Sequence, residues 1–415
     1  MNFILDAPAR SLVKCCIGHG GYGACEKCIV IGETVHSRRV YIELNEPLRT
    51  DESFKNKEQP LHHCGQSPLE QINIGMVSQF RLDPFHLAWH GVFRRLLDVW
   101  LTWNGPWKLH REIRWNISFL LLSIADTCPS DFVRKPRSLK EWTMYKATEE
   151  RRLCLYDGIV VFKDNLHKNV YRHFLMLHGA LTILSSPMLV QSEIMCYYAD
   201  DLLKAFINHS IVIYGKIFVV YNVHALAHLA QECLSHGSLD EFSAFPFENF
   251  LKSLKSLLKS GYKPLQQVAR RDIEKTVSVS VHLSTNDKEV TLSHRHYYRG
   301  EVIEGSYFKK ISIGDVVLKI GRRDSCFMTI DGNVFLLQNV VKRRKDIYLI
   351  TNKFNKKEDF YVYPFPSSHL RIFKVSNLSD ERIVVALADI QSKCWLIPYK
   401  EFFVSVPLLH TMPMF

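Results

Sequence analysis

At 415 residues, with 47% hydrophobic and 23% charged residues, the chain has an ordinary globular make-up and the length for two or three full cores. The 53 Lys and Arg against 42 Asp and Glu leave a net charge of +11, which favours an anionic partner without identifying it. Eleven cysteines are too few for a disulfide scaffold, and Met1–Asp6 carries no signal-peptide apolar run. The most apolar window, Asn169–Val190, is broken by Arg172, His173 and His178, so no membrane span is expected and the thiols read as reduced and intracellular.

Phe3-Ile4-Leu5 reads as a buried strand, and Pro8 begins a helix through Lys14. Asp6 stands between them, at a strand's carboxyl end, where open α/β sheets place their chemistry; on the residues alone, capping the helix is the simpler role. Within Gly18–Cys28, Cys25-x2-Cys28 on a glycine-rich turn makes half a zinc knuckle, because such a turn lets two thiolates converge at about 2.3 Å from the metal. Two of Cys15, Cys16, His19, His62 and His63 are expected to complete it, with a reduced, metal-free pair as the alternative. Val40–Leu44 and Ile211–Tyr221 are the main further strand candidates of this half.

From Ser67 to Gly215 the pattern is mostly helical. Asp83 reads as an N-cap with Pro84 at N1, and His86 and His90 as a satisfied pair on one helix face. Arg134, Lys135 and Arg137 precede Trp142, a mixture of cations and an aromatic that suits DNA backbone contact with stacking; a solvated, salt-bridged helix start is the other reading. Asn222–Lys259 reads as two helices joined by a glycine-bearing turn. His224 and His228, four apart, share one face of the first. In the second, opened by Pro246, an apolar stripe of Phe247, Phe250, Leu251, Leu254, Leu257 and Leu258 leaves Glu248 in line with Lys252, Lys255 and Lys259. Such a carboxylate can hold a metal beside a phosphate backbone, or simply offset the helix dipole ahead of a solvated lysine face. From Val277 onward period-two alternation takes over. Strands are expected at Val277–Leu283, ended by the Ser284–Asp287 turn, and at Lys309–Leu318, Phe327–Val341, Ile347–Thr351, Asp359–Tyr363, Leu370–Val375, Ile383–Ala388 and Lys393–Pro398. Asp331-Gly332 should turn a hairpin, and the set fits a small antiparallel barrel or sandwich.

Several of these blocks together resemble the transposase domain of CACTA-type (En/Spm) DNA transposons: Asp6–Arg10 with Lys14–Cys16 and Gly21–Cys28, Leu82–His86, Arg134–Trp142 with Lys146–Glu149, and Asn222–His224 with Phe245–Lys255. The resemblance covers residues 1–276. It implies an α/β fold, an incomplete RNase H-like core with a large helical insertion, followed by a small all-β domain over 277–415. It makes Asp6 the second and Glu248 the third acid of a DDE site, with Asp83 a further possibility. It also implies DNA contact by Arg134, Lys135, Arg137, Lys252 and Lys255, and a nuclear location. The family's first acid lies upstream of the matched blocks, so the chain reads as N-terminally truncated, DNA-binding and inactive in cleavage and strand transfer. Magnesium or manganese would bind only in a catalytic site. The alternatives are an active transposase read from an incomplete gene, or an interaction module whose β domain meets a protein partner or a second copy.

Overall fold

The computed structural model describes residues 2–278, 290–297 and 303–412. Strand β1 (Phe3–Leu5) runs into α1 (Ala7–Lys14), where Asp6 is the N-cap and accepts from the Ala9 N–H at 2.8 Å. A hairpin of β2 (Glu33–Val35) and β3 (Arg38–Val40) and the short α2 (Asp51–Lys55) follow. Strand β4 (Phe80–Leu82) then lies parallel to β1, with Phe3 opposite Phe80 and Leu5 opposite Leu82.

Among the described residues these two strands are the whole parallel sheet, far less than the sheet expected of an RNase H-like core. Two strand candidates fall elsewhere. Val40 only ends the β2–β3 hairpin, and Ile211–Tyr214 is helical. The β-branched Ile211-Val212-Ile213 run favours a strand locally. Leu203, Phe206, Ile207, Ser210 and Tyr214 nevertheless recur at helical spacing and are buried, and tertiary packing overrides local propensity. The helix stops at Gly215, whose φ of +85° suits a residue without Cβ.

A π-helical segment, Phe85–Phe93, leads into α3 (Arg94–Thr102). Then come α4 (Arg111–Ile124), α5 (Ala147–Arg152), α6 (Gly158–Val161), α7 (Lys168–Ser185) and α8 (Glu193–Tyr214). The series ends with α9 (Tyr221–Ala225), α10 (Leu229–His236), α11 (Phe245–Ser256) and α12 (Pro264–Ser278). Helix α12 takes in Val277 and Ser278, where a strand was expected; residues 279–283 and the turn at 284–287 lie outside the described residues. No helix among the described residues is long and apolar enough to cross a membrane.

The last part is β: β5 (Val290–His296), β6 (Ser306–Ile313), β7 (Val316–Lys319), β8 (Cys326–Thr329), β9 (Val334–Arg343), β10 (Asp346–Asp359), β11 (Phe373–Ala386), β12 (Ile390–Tyr399) and β13 (Phe402–Pro407). Antiparallel pairing passes from β8 through β9, β10, β11, β13 and β12 back to β8, which closes a six-stranded ring; β5 and β7 flank β6, which adds to β9. Closure leaves those six strands without a free edge. The expected hairpin at Asp331-Gly332 joins β8 to β9, with Gly332 at φ +77°. Two expected strands, Leu370–Val375 and Ile383–Ala388, belong to the single long β11, and Asp359–Tyr363 is only the end of β10.

Alternation along β12 sends Cys394 into the ring and Trp395 and Ile397 into the large core shared with the helices. Polar anchors follow the same boundary. Buried Lys393 reaches Asp131 at 2.5 Å and Asp324 at 2.6 Å, the Trp395 indole donates to Thr127 at 3.2 Å, and His178 Nε2 meets the Tyr361 hydroxyl at 3.1 Å. Helices and barrel are thus built on one continuous apolar core.

Two histidines of α7 give this core an acid limit. Burial pulls His173 down to about 3 and His178 to about 4, although each has a backbone carbonyl partner, Phe206 and Cys154 respectively. An unfolded histidine titrates near ~6.5, so both contribute stability that is complete above that pH and lost as pH falls below it, when the unfolded chain takes up protons the native state refuses. The urea midpoint is expected to hold between pH 8 and 7 and to drop steadily from about 6.5 to 4. A midpoint unchanged at pH 5 would contradict this assignment.

Candidate functional site

Two halves of the chain, far apart in sequence, meet behind the β1–β4 pair. The glycine-rich turn after α1 is drawn against the backbone of Leu61 and His62; a Cβ on Gly23 would lie 3.0 Å from the Leu61 carbonyl oxygen, a tight approach that glycine relieves. Tyr41 fastens the same turn, its hydroxyl donating to the His19 and Gly21 carbonyls. The turn carries Cys25 and Cys28 inward, and each is only 1% exposed. From the other side α9 and the 3-10 turn after it bring His224 and His228, 1% and 7% exposed.

Cys25 Sγ and Cys28 Sγ are 3.5 Å apart, Cys28 Sγ is 3.3 Å from His224 Nε2, and Cys25 Sγ is 3.5 Å from His228 Nε2. All four donor atoms lie within 4.8 Å of one another. Tetrahedral zinc with Zn–S of about 2.3 Å and Zn–N of about 2.0–2.1 Å requires ligand separations of roughly 3.3–3.8 Å, so the four donors fit a metal ion of that kind. Their surroundings are set for it. His224 Nδ1 faces the Tyr41 carbonyl at 3.1 Å, which fixes the tautomer that leaves Nε2 as the donor atom. Burial opposes ionisation of Cys25, but the hydrogen bond from Cys28 and the charge of His228 outweigh it and hold that thiol well below its ordinary range, while Cys28 is pushed up. Four protein donors in a buried site leave no open position, the arrangement of a structural rather than a catalytic metal.

Cys25 and Cys28 are therefore where the sequence placed them, and the completing pair is different. Cys16 bridges to His63 across a short antiparallel contact, and burial raises its thiol to about 12. His62 Nδ1 faces the Gly23 carbonyl at 2.8 Å, His63 packs edge-on against Phe54, and His19 turns toward Tyr221 and the pocket described below. Cys15 is half-buried and its neighbour in space Cys64, whose N–H donates to the Cys15 carbonyl, is exposed; neither joins the cluster. The His-x3-His spacing was the signal for the true partners, but nothing in the sequence links it to a turn 196 residues earlier.

Between the two thiols sits Glu26, buried and bonded to Arg10 at 2.8 Å, Lys14 at 3.1 Å and the Tyr221 hydroxyl at 2.8 Å. Arg10 also donates to the carbonyls of Leu5 and Arg81, so one guanidinium ties both parallel strands to the metal turn. Sequence reasoning passed over this network.

The carboxyl ends of β1 and β4 open on a pocket of about 420 Å³, whose lining includes Asp6, Arg10, His19, Asp83, His86 and His90. Asp83 is 1% exposed and fully engaged. Its Oδ1 accepts from the Phe85 and Ala244 N–H groups at 3.0 and 2.8 Å, and its Oδ2 from the His86 N–H and imidazole. Through Ala244 it seats the start of α11, which carries Glu248 in its first turn, exposed to solvent. Half-burial pulls His86 down, but the hydrogen bond to Asp83 and the charges of Asp83, Asp6 and Glu248 prevail and raise it. Asp6 and Asp83 both line this pocket with His86, while Glu248 stands exposed on α11, outside its lining. His90, expected to be a satisfied helix-face residue, pairs with buried Glu150 at 2.8 Å.

Of the basic residues, Arg134, Lys135, Lys252 and Lys255 are exposed. Arg137 instead pairs with Glu149 and Glu141, each at 2.8 Å, and the Arg94 guanidinium lies 5.7 Å from the Trp142 ring. At Arg137 the salt-bridged helix start prevails over DNA contact.

A family model described as a domain of unknown function (DUF8592) matches residues 295–408, from β5 to just past β13. The Cys2His2 cluster and the strand-end pocket both lie outside that match. No curated protein matches the chain.

Proposed function

We propose that this chain is a nucleic-acid-binding protein derived from a CACTA-type transposase, that its Cys2His2 centre is a structural zinc site, and that the pocket at the strand ends, lined by Arg10, Arg38 and Arg39 beside Asp6 and Asp83, binds without cutting. The observation that carries the reading is the placement of Asp6 and Asp83 at the carboxyl ends of adjacent parallel strands, with α11, which bears Glu248, seated by Asp83 itself. Such a trio is what the resemblance implies for a phosphoryl-transfer site. Two-metal chemistry needs acids free to bridge ions about 3.5–4 Å apart. Asp83 accepts four hydrogen bonds, matching the roughly four lone-pair positions of a carboxylate, and Asp6 caps α1. Binding therefore remains where cleavage is blocked, and the resemblance implies a nuclear location.

Duplex affinity is expected to fall steeply with salt. Replacing Arg134, Lys135, Lys252 and Lys255 together with Ala should flatten the log–log slope by up to about 3.6, at about 0.9 per phosphate contact. Salt-independent binding, or a quadruple variant indistinguishable from the parent, would rule the reading out. Incubation with magnesium or manganese should leave DNA intact. The same strand-end acids favour a second reading, an active enzyme, and cleavage abolished by Asp6→Ala would establish it.

A further inference from the structure

On the side of the helical region formed by α4 and the Leu139–Met144 turn lies a second cleft, of about 670 Å³. Its lining includes Lys108, Arg111, Arg114 and Lys140 with the indoles of Trp115 and Trp142, and no carboxylate. Glu141, the nearest acid on that turn, is turned away to Arg137. The floor is built. Ser118 accepts from the Leu139 N–H at 3.2 Å, and Arg114 is held by the Leu109 and Leu101 carbonyls. Arg111 and Lys140 are exposed at the rim, and Lys108 reaches only the neutral Asn104. Trp115 is 61% exposed and lies nearly parallel to Phe119 in a stacked pair, their ring centroids 5.7 Å apart at 10°, a large aromatic surface set in water on one helix.

From this we infer that the cleft binds a single-stranded stretch of nucleic acid, a base stacking on Trp115 and adjacent phosphates meeting Arg111, Lys108 and Lys140. Cations alone would serve a solvated face. Cations without counter-charge beside an exposed indole are the pairing that single strands require, because every base has a π-face while each phosphate needs a positive partner. Duplex DNA keeps its bases stacked on one another and cannot use the indole. The inference rests on the nucleic-acid-binding reading above and adds a second surface to it, distinct from Lys252 and Lys255 on α11.

The test is fluorescence anisotropy of a labelled oligothymidylate and of a labelled duplex of equal length, with the full chain. Trp115→Ala should weaken single-strand binding roughly 5- to 150-fold, the loss of one stacked base, while duplex binding stays as it was. Trp115→Phe should recover most of it. The pair Arg111→Ala and Lys140→Ala should flatten the single-strand salt slope by about 1.4, at about 0.7 per phosphate. Trp115 lies at the surface, so an unchanged melting curve will show the variant folded. Single-strand affinity indifferent to these changes overturns the cleft even if duplex binding persists, whereas loss of both ligands in the parent protein overturns the wider reading. Displacement by thymidine monophosphate as effective as by the oligonucleotide would mark a small-nucleotide pocket and also overturn the strand assignment.

Discussion

Purified protein is expected to carry about one zinc per chain, and removing it should cost more stability than any single core substitution. The centre joins positions 196 and 203 residues apart, and in the chain-entropy description a cross-link closing a loop of that length is worth about 5 kcal/mol. His224→Ala or Cys28→Ser should therefore lower the melting temperature steeply and free the Gly18–Cys28 turn from α9, seen as rapid amide exchange there. Cobalt substitution should give the visible spectrum of a tetrahedral two-sulfur, two-nitrogen site. Chelated protein with an unchanged melting curve would show instead that the four side chains form a metal-free hydrogen-bonded cluster.

Glu26→Gln should be nearly as severe. In the native protein burial works against the Glu26 charge, but Arg10 and Lys14 overcome it and hold the carboxyl well below the usual carboxylate range. Its contribution is complete above the unfolded value of about 4.3 and is lost as pH falls toward the folded one. Removing the acid at neutral pH strands two buried cations, and breaking a buried pair costs ~3–5 kcal/mol. Replacing Arg10 and Lys14 by Met in the same protein should restore a good part of that loss, since no charge is then left unmatched. A Glu26→Gln variant as stable as the parent at pH 7, or a triple variant worse than the single one, would show that the network does not carry this weight.

The readable parts of the sequence were those fixed by short-range stereochemistry. Asp6 and Asp83 are caps because an acid before a proline-containing first turn has nearby N–H groups to accept from, and Asp331-Gly332 turns a hairpin because Gly332 tolerates positive φ. Cys25-x2-Cys28 announced a metal turn for the same local reason. What stayed hidden depends on which surfaces meet. His224 and His228 share a helix face, but so do His86 and His90, and only the tertiary fold brings the first pair to two thiols and leaves His90 with Glu150. The strand reading of Ile211–Tyr214 failed where burial against neighbouring helices overrode β-branching. Nor does alternation in β12 reveal that Trp395 packs on helices rather than inside the barrel.

The span between the two halves of the metal centre also sets an order of events during synthesis. Cys25 and Cys28 leave the ribosome early, with neither histidine yet made. At about 5–20 residues per second the 196 positions from Cys28 to His224 take on the order of 10–40 s. Throughout that interval two thiols are exposed to oxidants and to passing metal ions, with only half a coordination sphere to offer. Capture of a metal ion by all four donors becomes possible only once α9 and the turn after it have emerged and docked, while the β strands that share the large core are still to be made.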